Sequence, residues 1–420
     1  MTDTDVVCVE GVRTPHGELL GSLADVSAVE LGRTAVDGLL DRVEIEGDRV
    51  DWVSLGNAIQ AGTGQVPARQ VVVESALPNE TAVTTINEAS GSGVRAITLA
   101  ADRIAAGRAE FAVAGGFESM TNAPWILPEY RKGRRHGDVT LKDSMIFDSL
   151  WDVNLDIHMG EITERLIDRY GEGRADSSDG GGDSDGDTGG HNGDGGTRYD
   201  LSREVQDAYA LESHRWAHEA IEAGEYDDEI VTVETGSETV DRDEGPRPES
   251  TMDDLAGLSP AFRRDGSITP ANASKLADGA GAVLLANAEA AADADLEPTM
   301  RLVDYELVYR EPDEFNEAVG DVVEALLERT GLEADDLDAC WINEAFAAQS
   351  VYVMQRLGID RERMNPLGGA VAYGHPIGAS GGMLTASLAH QMRREDGVEC
   401  GLVGMSQGGG GAIMSLWERV

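Results

Sequence analysis

A chain of 420 residues is long enough for two or three domains, each with a core of its own. Its 33 basic and 78 acidic residues leave a net charge of −45, a field that repels nucleic acid and anionic membrane and excludes both as partners. The acid is dispersed, and Lys132, Lys142 and Lys275 are the only lysines, a balance suited to a cytoplasm with molar salt, where the Debye length falls to about 3 Å.

The chain opens without the basic-then-apolar pattern of a signal peptide. No apolar run reaches the ~20 residues of a membrane span. Cys8, Cys340 and Cys400 are far apart and odd in number, which gives neither a disulfide framework nor a metal-binding spacing. A cytoplasmic protein without a metal is expected.

In chain order, residues 6–9 read as a short buried strand, 11–15 as a turn, and 28–43 as a helix with 3.6-residue periodicity. A strand at 50–55 leads to the polar glycine turn 62–69 and a helix ending at Val73. The strand 81–86 runs into Asn87-Glu88-Ala89-Ser90-Gly91-Ser92-Gly93 and a helix from Val94 to Ala106; another strand follows at 111–114. Strands alternating with helices predict an α/β protein with a largely parallel sheet. Function collects in such sheets where strands end and helices begin, and Ser90 stands at such a point. Strand, small hydroxyl residue among glycines, then helix is the local form of a nucleophile turn. A helix N-cap is the competing reading of Ser90.

Between residues 121 and 251 the alternation gives way to polar loops with helices at 159–170 and from the N-cap Ser202 to Ala223. The run 171–198, rich in Gly and Asp, cannot build a core and is expected to be a disordered surface loop. Its Asp183-Ser184-Asp185-Gly186-Asp187 spacing resembles a calcium loop, but Thr188 stands where the required glycine belongs.

Alternation resumes with a strand at 280–286, a helix at 314–330, a strand at 339–343 and a helix at 347–357. The stretch 365–382, NPLGGAVAYGHPIGASGG, follows. It sets His375 on a glycine-rich turn before the apolar, helix-compatible segment 383–392, and a helix start favours anions. A structural glycine turn with an incidental histidine is the alternative. The last expected strand, 401–405, ends in Ser406-Gln407 and four glycines, so a strand followed by a Ser-Gly turn occurs once in each half, at Ser90 and Ser406.

Eleven segments together resemble the thiolase family, in particular its acetyl-CoA acetyltransferase group. Among them are GQVPARQ at 64–70, INEASGSGVRA at 86–96, GGFESMTNAP at 115–124, HMGEITE at 158–164, ITPANASKLADGAGAVLL at 268–285, NEAFAAQ at 343–349, NPLGGAVAYGHPIGASG at 365–381 and GGGG at 408–411. They keep the family's order and, the acidic insertion apart, its spacing. The resemblance implies duplicated α/β halves in a five-layer sandwich with an inserted loop domain. The expected division is 1–120 for the N-terminal half, 121–251 for the loop domain, 252–270 for a return segment and 271–420 for the C-terminal half. It further implies coenzyme A thioesters as substrates, no other cofactor, and a homodimer or homotetramer, with a second subunit as the further partner to consider.

The resemblance assigns Ser90 to the nucleophile position and Ser406 to the acid/base position, where thiolases carry cysteines. It places the Ser90 and Gly408 N–H groups around the acyl-enzyme oxyanion, and His375 with a water held by Asn343 around the enolate oxygen. His158, Met159, Ser274 and Phe346 match the residues along the pantetheine channel. The expected activity is an acyl-CoA C-acyltransferase acting on 3-ketoacyl-CoA such as acetoacetyl-CoA; the alternative is a non-catalytic subunit of the same fold that binds acyl-CoA or a partner protein.

Overall fold

The computed structural model describes residues 5–128, 130–172 and 197–420. The 171–198 run, apart from its ends, and its Asp183–Asp187 spacing lie outside the described residues.

The main sheet is built from β1 (Val6–Arg13), β2 (Trp52–Gly56), β3 (Ala82–Ile86), β4 (Phe111–Ser119), β5 (Ala277–Asn287), β6 (Met300–Tyr309), β7 (Ala339–Ile342), β8 (Cys400–Gln407) and β9 (Gly411–Arg419), in the order β7-β8-β9-β6-β1-β5-β4-β2-β3. The first half, β1 to β5, meets the second through two residue pairs alone, Val7 with Arg301 and Cys8 with Met300.

Of the eleven α-helices among the described residues, eight cover the sheet or frame the site: α1 (Ala28–Val43), α2 (Pro67–Glu74), α3 (Ser92–Ala105), α4 (Met159–Tyr170), α5 (Arg203–Ala223), α6 (Phe315–Thr330), α7 (Ala347–Leu357) and α8 (Ser380–Arg394). The start of α1 shows why the sequence folds there. Ser27 Oγ accepts from Glu30 N at 3.2 Å and the Glu30 carboxylate accepts from Ser27 N at 3.2 Å, a reciprocal capping box. Leu31, Ala35, Val36, Leu39 and Leu40 then fall on one buried face.

Three hydrophobic cores define five layers. Val36, Leu39 and Val71 of α1 and α2 pack on Phe117 and Leu284 of the first half-sheet. Ile97 of α3 and Leu388 of α8 sit in a second core that contains Val283 from the first half-sheet and Met405 and Ile413 from the second. Val322 and Leu326 of α6 and Val351 of α7 close the other side against Met414 and Leu416. The layers are helix, sheet, helix, sheet, helix, and the middle helices α3 and α8 are those that begin at the Ser90 and His375 turns. Glycine allows this centre to close. A Cβ at Gly116 would lie 1.9 Å from Gly378 O, and one at Gly281 would lie 2.3 Å from Met383 N.

Three expectations are corrected. The sheet is not largely parallel: β2–β3, β2–β4 and β7–β8 are parallel, but β1–β5, β5–β4, β1–β6, β6–β9 and β8–β9 are antiparallel. The physical reason is that β8 and β9 form a hairpin around the glycine run, with Gly409 and Gly410 at φ +79° and +89°. Long returning strands, β5 and β6, then fill the middle. Second, the strand over 277–287 does not belong with the C-terminal half. It lies between β1 and β4, because the chain returns from the 121–251 region to complete the first half-sheet. Third, β1 does not turn at Gly11 but continues to Arg13; Gly11 lies flat under α8, where a Cβ would be 2.7 Å from Ala386 Cα.

Candidate active site

Ser90 stands on a strained turn between β3 and α3. Ala89 has φ +50°, in the left-handed region that costs a residue with a side chain. The turn is held by Asn87 Oδ1, which accepts from Ala89 N at 3.2 Å. Ser92 Oγ accepts from Glu88 N at 2.9 Å and donates to Ala89 O at 2.6 Å. The N-cap position of α3 itself is Gly91, with no side-chain cap, so Ser90 is not the helix cap.

His375 is fixed from both halves. Its N–H donates to Lys275 O at 2.9 Å, and Gly374 before it has φ +107°. Two residues on, Ile377 is forced to φ +24°, and Gly378 N donates to Glu118 Oε2 at 3.0 Å. The buried Glu118 carboxyl also accepts from Asn57 Nδ2, Ala58 N and Ile59 N at 2.8, 2.9 and 3.1 Å, tying the turn to the first half-sheet; burial pushes it up to about 7.

The imidazole bridges two hydroxyls. Nε2 lies 2.9 Å from Ser90 Oγ, and Nδ1 lies 2.6 Å from Ser380 Oγ. Burial, helped by the nearby His16, lowers the His375 pKa to about 3, so the ring is neutral at pH 7. Ser406, at the end of β8, donates its hydroxyl to Gln349 Oε1 on α7 at 2.8 Å.

Seven of the nine residues singled out by sequence, Ser90, Met159, Ser274, Phe346, His375, Ser406 and Gly408, line one cleft of about 50 Å³. The segment carrying Ser274 threads between the other two motifs. Ser274 N donates to Ala345 O at 3.0 Å, Ala273 bridges Phe346, and Leu276 bridges His375. The other two stand behind the cleft. Asn343 lines a smaller cavity on the far side of Ser380, and His158 caps α4 through Gly160 N at 3.1 Å while stacking on Phe262, itself edge-on to Phe346. Lys275, next to Ser274, has its ammonium paired with Glu18 at 3.2 Å and with the Gly245 carbonyl.

Sequence reasoning missed Ser380, Gln349 and Glu118. All three lie inside quoted motifs, HPIGAS, NEAFAAQ and GGFESM, but nothing in the linear spacing says which motif member another will touch. Burial pushes the Cys340 thiol up to about 12 and Cys400 to about 11, Cys8 is fully buried in β1, and none of the three lines the cleft. Among the described residues no group of three or more His, Cys, Asp or Glu is placed to hold a metal, and no helix is long and apolar enough to cross a membrane.

The depressed His375 pKa has a measurable consequence. The unfolded ring titrates near 6.5 and the folded ring near 3, so between these values the unfolded chain binds the extra proton. Stability contributed by this group is present above pH ~6.5 and is lost as the pH falls, with a slope of about 1.4 kcal/mol per pH unit. Unfolding curves from pH 4 to 7 for the wild type and His375→Gln should diverge by that slope; parallel curves would refute the assignment.

Two half-sheets share a central helix layer, and two serines and a histidine from separate motifs meet in one cleft at its edge. Residues 6–179 and 186–289 match the thiolase N-terminal domain and residues 296–419 the thiolase C-terminal domain; the chain belongs to the thiolase family. It is 40% identical over 420 residues to an acetyl-CoA acetyltransferase of Pseudomonas aeruginosa, covering 99% of each chain. It is 39% identical over 419 residues to a probable acetyl-CoA acetyltransferase of Escherichia coli, again covering 99% of each. The crystal structure of the Bacillus anthracis acetyl-CoA acetyltransferase superposes with a TM-score of 0.89 at 34% identity, covering 99% of both chains.

Proposed function

We propose that this chain is an acyl-CoA C-acyltransferase that makes or cleaves 3-ketoacyl-CoA, such as acetoacetyl-CoA, through an acyl-enzyme on Ser90. The observation that carries this reading is the 2.9 Å contact between Ser90 Oγ and the neutral His375 Nε2 in a cleft that also holds Ser406. A serine hydroxyl is a weak nucleophile and needs a base at the moment of attack. His375 Nε2 takes the Ser90 proton as Oγ adds to the thioester carbonyl. The C–S bond then breaks, the proton goes to the coenzyme A sulfur, and an acyl-Ser90 oxyester remains. The Ser90 and Gly408 N–H groups stabilise the oxyanion of this step.

In the second half-reaction the enolate of another acyl-CoA attacks the acyl-Ser90 carbonyl, the C–Oγ bond breaks and Ser90 Oγ receives the proton held by His375, or the sequence runs in reverse. His375 Nε2 faces the enolate oxygen, while Asn343 stands behind the ring on the Ser380 side. The carbon-bound proton is taken by His375, directly or through the Ser406 hydroxyl. An oxyester is less activated than a thioester, so acylation is downhill and transfer onward is the slower half. His158, Met159, Ser274 and Phe346 flank the pantetheine arm. The acyl-CoA-handling unit is a homodimer or homotetramer, working in a salt-rich cytoplasm that screens its net charge of −45.

Two observations favour a second reading, a non-catalytic subunit that binds acyl-CoA or a partner protein. Ser406 Oγ is engaged by the Gln349 amide, and His375 is backed by a hydroxyl where many serine dyads have a carboxylate. The deciding experiment is thiolysis of acetoacetyl-CoA by the purified homo-oligomer in ~2–3 M KCl, where self-repulsion is screened. Turnover supports the enzyme; acyl-CoA binding without turnover supports the second reading.

A further inference from the structure

An imidazole between two hydroxyls has two neutral arrangements. With the proton on Nε2 it donates toward Ser90 and cannot take that residue's proton. With the proton on Nδ1 it donates to Ser380 Oγ and leaves Nε2 free to accept from Ser90. At 2.6 Å from Nδ1, Ser380 selects between the two by the direction of its own O–H.

That direction is set by what lies on the other side of Ser380. A cavity of about 20 Å³, enough for one water, is bounded by Ser380, Asn343, His16 and Tyr373. Asn343 is 3% exposed, and its Nδ2 is buried without an acceptor from the protein. The cationic neighbour in the wall, Arg13, is already neutralised by Glu229 and Asp243 at 2.5 and 2.6 Å, and His16 Nδ1 faces Asp243 at 3.1 Å. The two wall groups in need of an acceptor are therefore the Ser380 hydroxyl and the Asn343 amide. A water oxygen serves both.

We propose that Ser380 is a positioning residue: its hydroxyl donates to a water shared with Asn343, its oxygen accepts from His375 Nδ1–H, and His375 is thereby held in the tautomer that can deprotonate Ser90. The proposal rests on the acyl-Ser90 reading above, but the tautomer can be measured without any turnover.

The test uses the full chain in ~2–3 M KCl, with ring-nitrogen-labelled histidine and His375 assigned by its loss in His375→Gln. In the wild type the ring proton is expected on Nδ1. In Ser380→Ala it is expected to move wholly or partly to Nε2, with kcat for thiolysis falling about 10–100-fold and KM for acetoacetyl-CoA unchanged. Ser380→Thr keeps the hydroxyl and should keep both the tautomer and kcat. A wild-type proton on Nε2 overturns the proposal, as does a Ser380→Ala protein that folds and retains the wild-type tautomer or kcat. Absence of thiolysis in the wild type would defeat the enzyme reading alone and leave the tautomer measurement to decide the role of Ser380.

Discussion

Ser90→Ala is expected to slow acyl transfer at least ~10³-fold while the protein still binds acetyl-CoA. Met159, Ser274 and Phe346, the proposed binding surface in the cleft, are untouched by removal of one hydroxyl, and the imidazole keeps its bond to Ser380 at 2.6 Å. What is lost is the atom that carries the acyl group, so kcat should fall with little change in affinity for acetyl-CoA. Ser90→Cys should separate the two half-reactions. A thiol beside a base is partly thiolate near neutral pH and is intrinsically the better nucleophile. Acylation should therefore accelerate, whereas carbon–carbon bond formation still waits on Ser406 and His375 for proton removal. Pre-steady-state release of coenzyme A reads the first step and 3-ketoacyl-CoA formation the second. Wild-type turnover in Ser90→Ala would sink the assignment of the nucleophile.

Glu344→Ala should destabilise the protein by about 3–5 kcal/mol, a large share of a typical domain's margin. Glu344 is fully buried next to Asn343, and its two oxygens accept from Tyr209 OH at 2.7 Å, Ser213 Oγ at 2.9 Å, Asn365 Nδ2 at 3.1 Å and Val371 N at 3.1 Å. Two of these donors belong to α5, and the other two to the segment that leads into the His375 turn. Truncation leaves Tyr209 OH, Ser213 Oγ and Val371 N without this acceptor, while Asn365 Nδ2 keeps its bond to Ile342 O at 2.8 Å, and it opens a gap opposite Gly369, where Glu344 already packs so closely that a Cβ would lie 2.3 Å from its Cδ. Glu344→Gln keeps the volume and one acceptor, so it should cost less than the alanine. Denaturant unfolding at fixed KCl measures both; a loss under ~1 kcal/mol for the alanine variant would show that water replaces the carboxylate.

Much of the local structure was legible because it is written in short-range chemistry. The helix over 28–43 begins at a capping box and carries a buried stripe, and the helices over 159–170 and 347–357 follow the same periodicity. Strand direction is not local, which is why alternation suggested a parallel sheet where the middle is antiparallel. Met300–Tyr309 was overlooked because a half-buried strand with Asp304 and Glu306 in it shows no apolar run. Gly411–Arg419 was overlooked because four glycines read as the end of an element rather than as a hairpin turn. At the site, motif order brought Ser90, His375 and Ser406 to notice, and the structure sets them in one cleft. The hydroxyl behind the imidazole and the amide holding Ser406 depend on pairs 5 and 57 residues apart, one within a turn and one across a layer, and only the folded arrangement shows them.

The central claim is that Ser90 carries the acyl group with His375 as its base. Its most direct measurement is peptide mass spectrometry of the protein quenched in acid within one turnover of mixing with isotopically labelled acetyl-CoA in ~2–3 M KCl. The expected result is one labelled acetyl group on the peptide containing Ser90, reduced in His375→Gln and discharged by added coenzyme A. A label on another residue, or none while 3-ketoacyl-CoA is still turned over, would contradict the account.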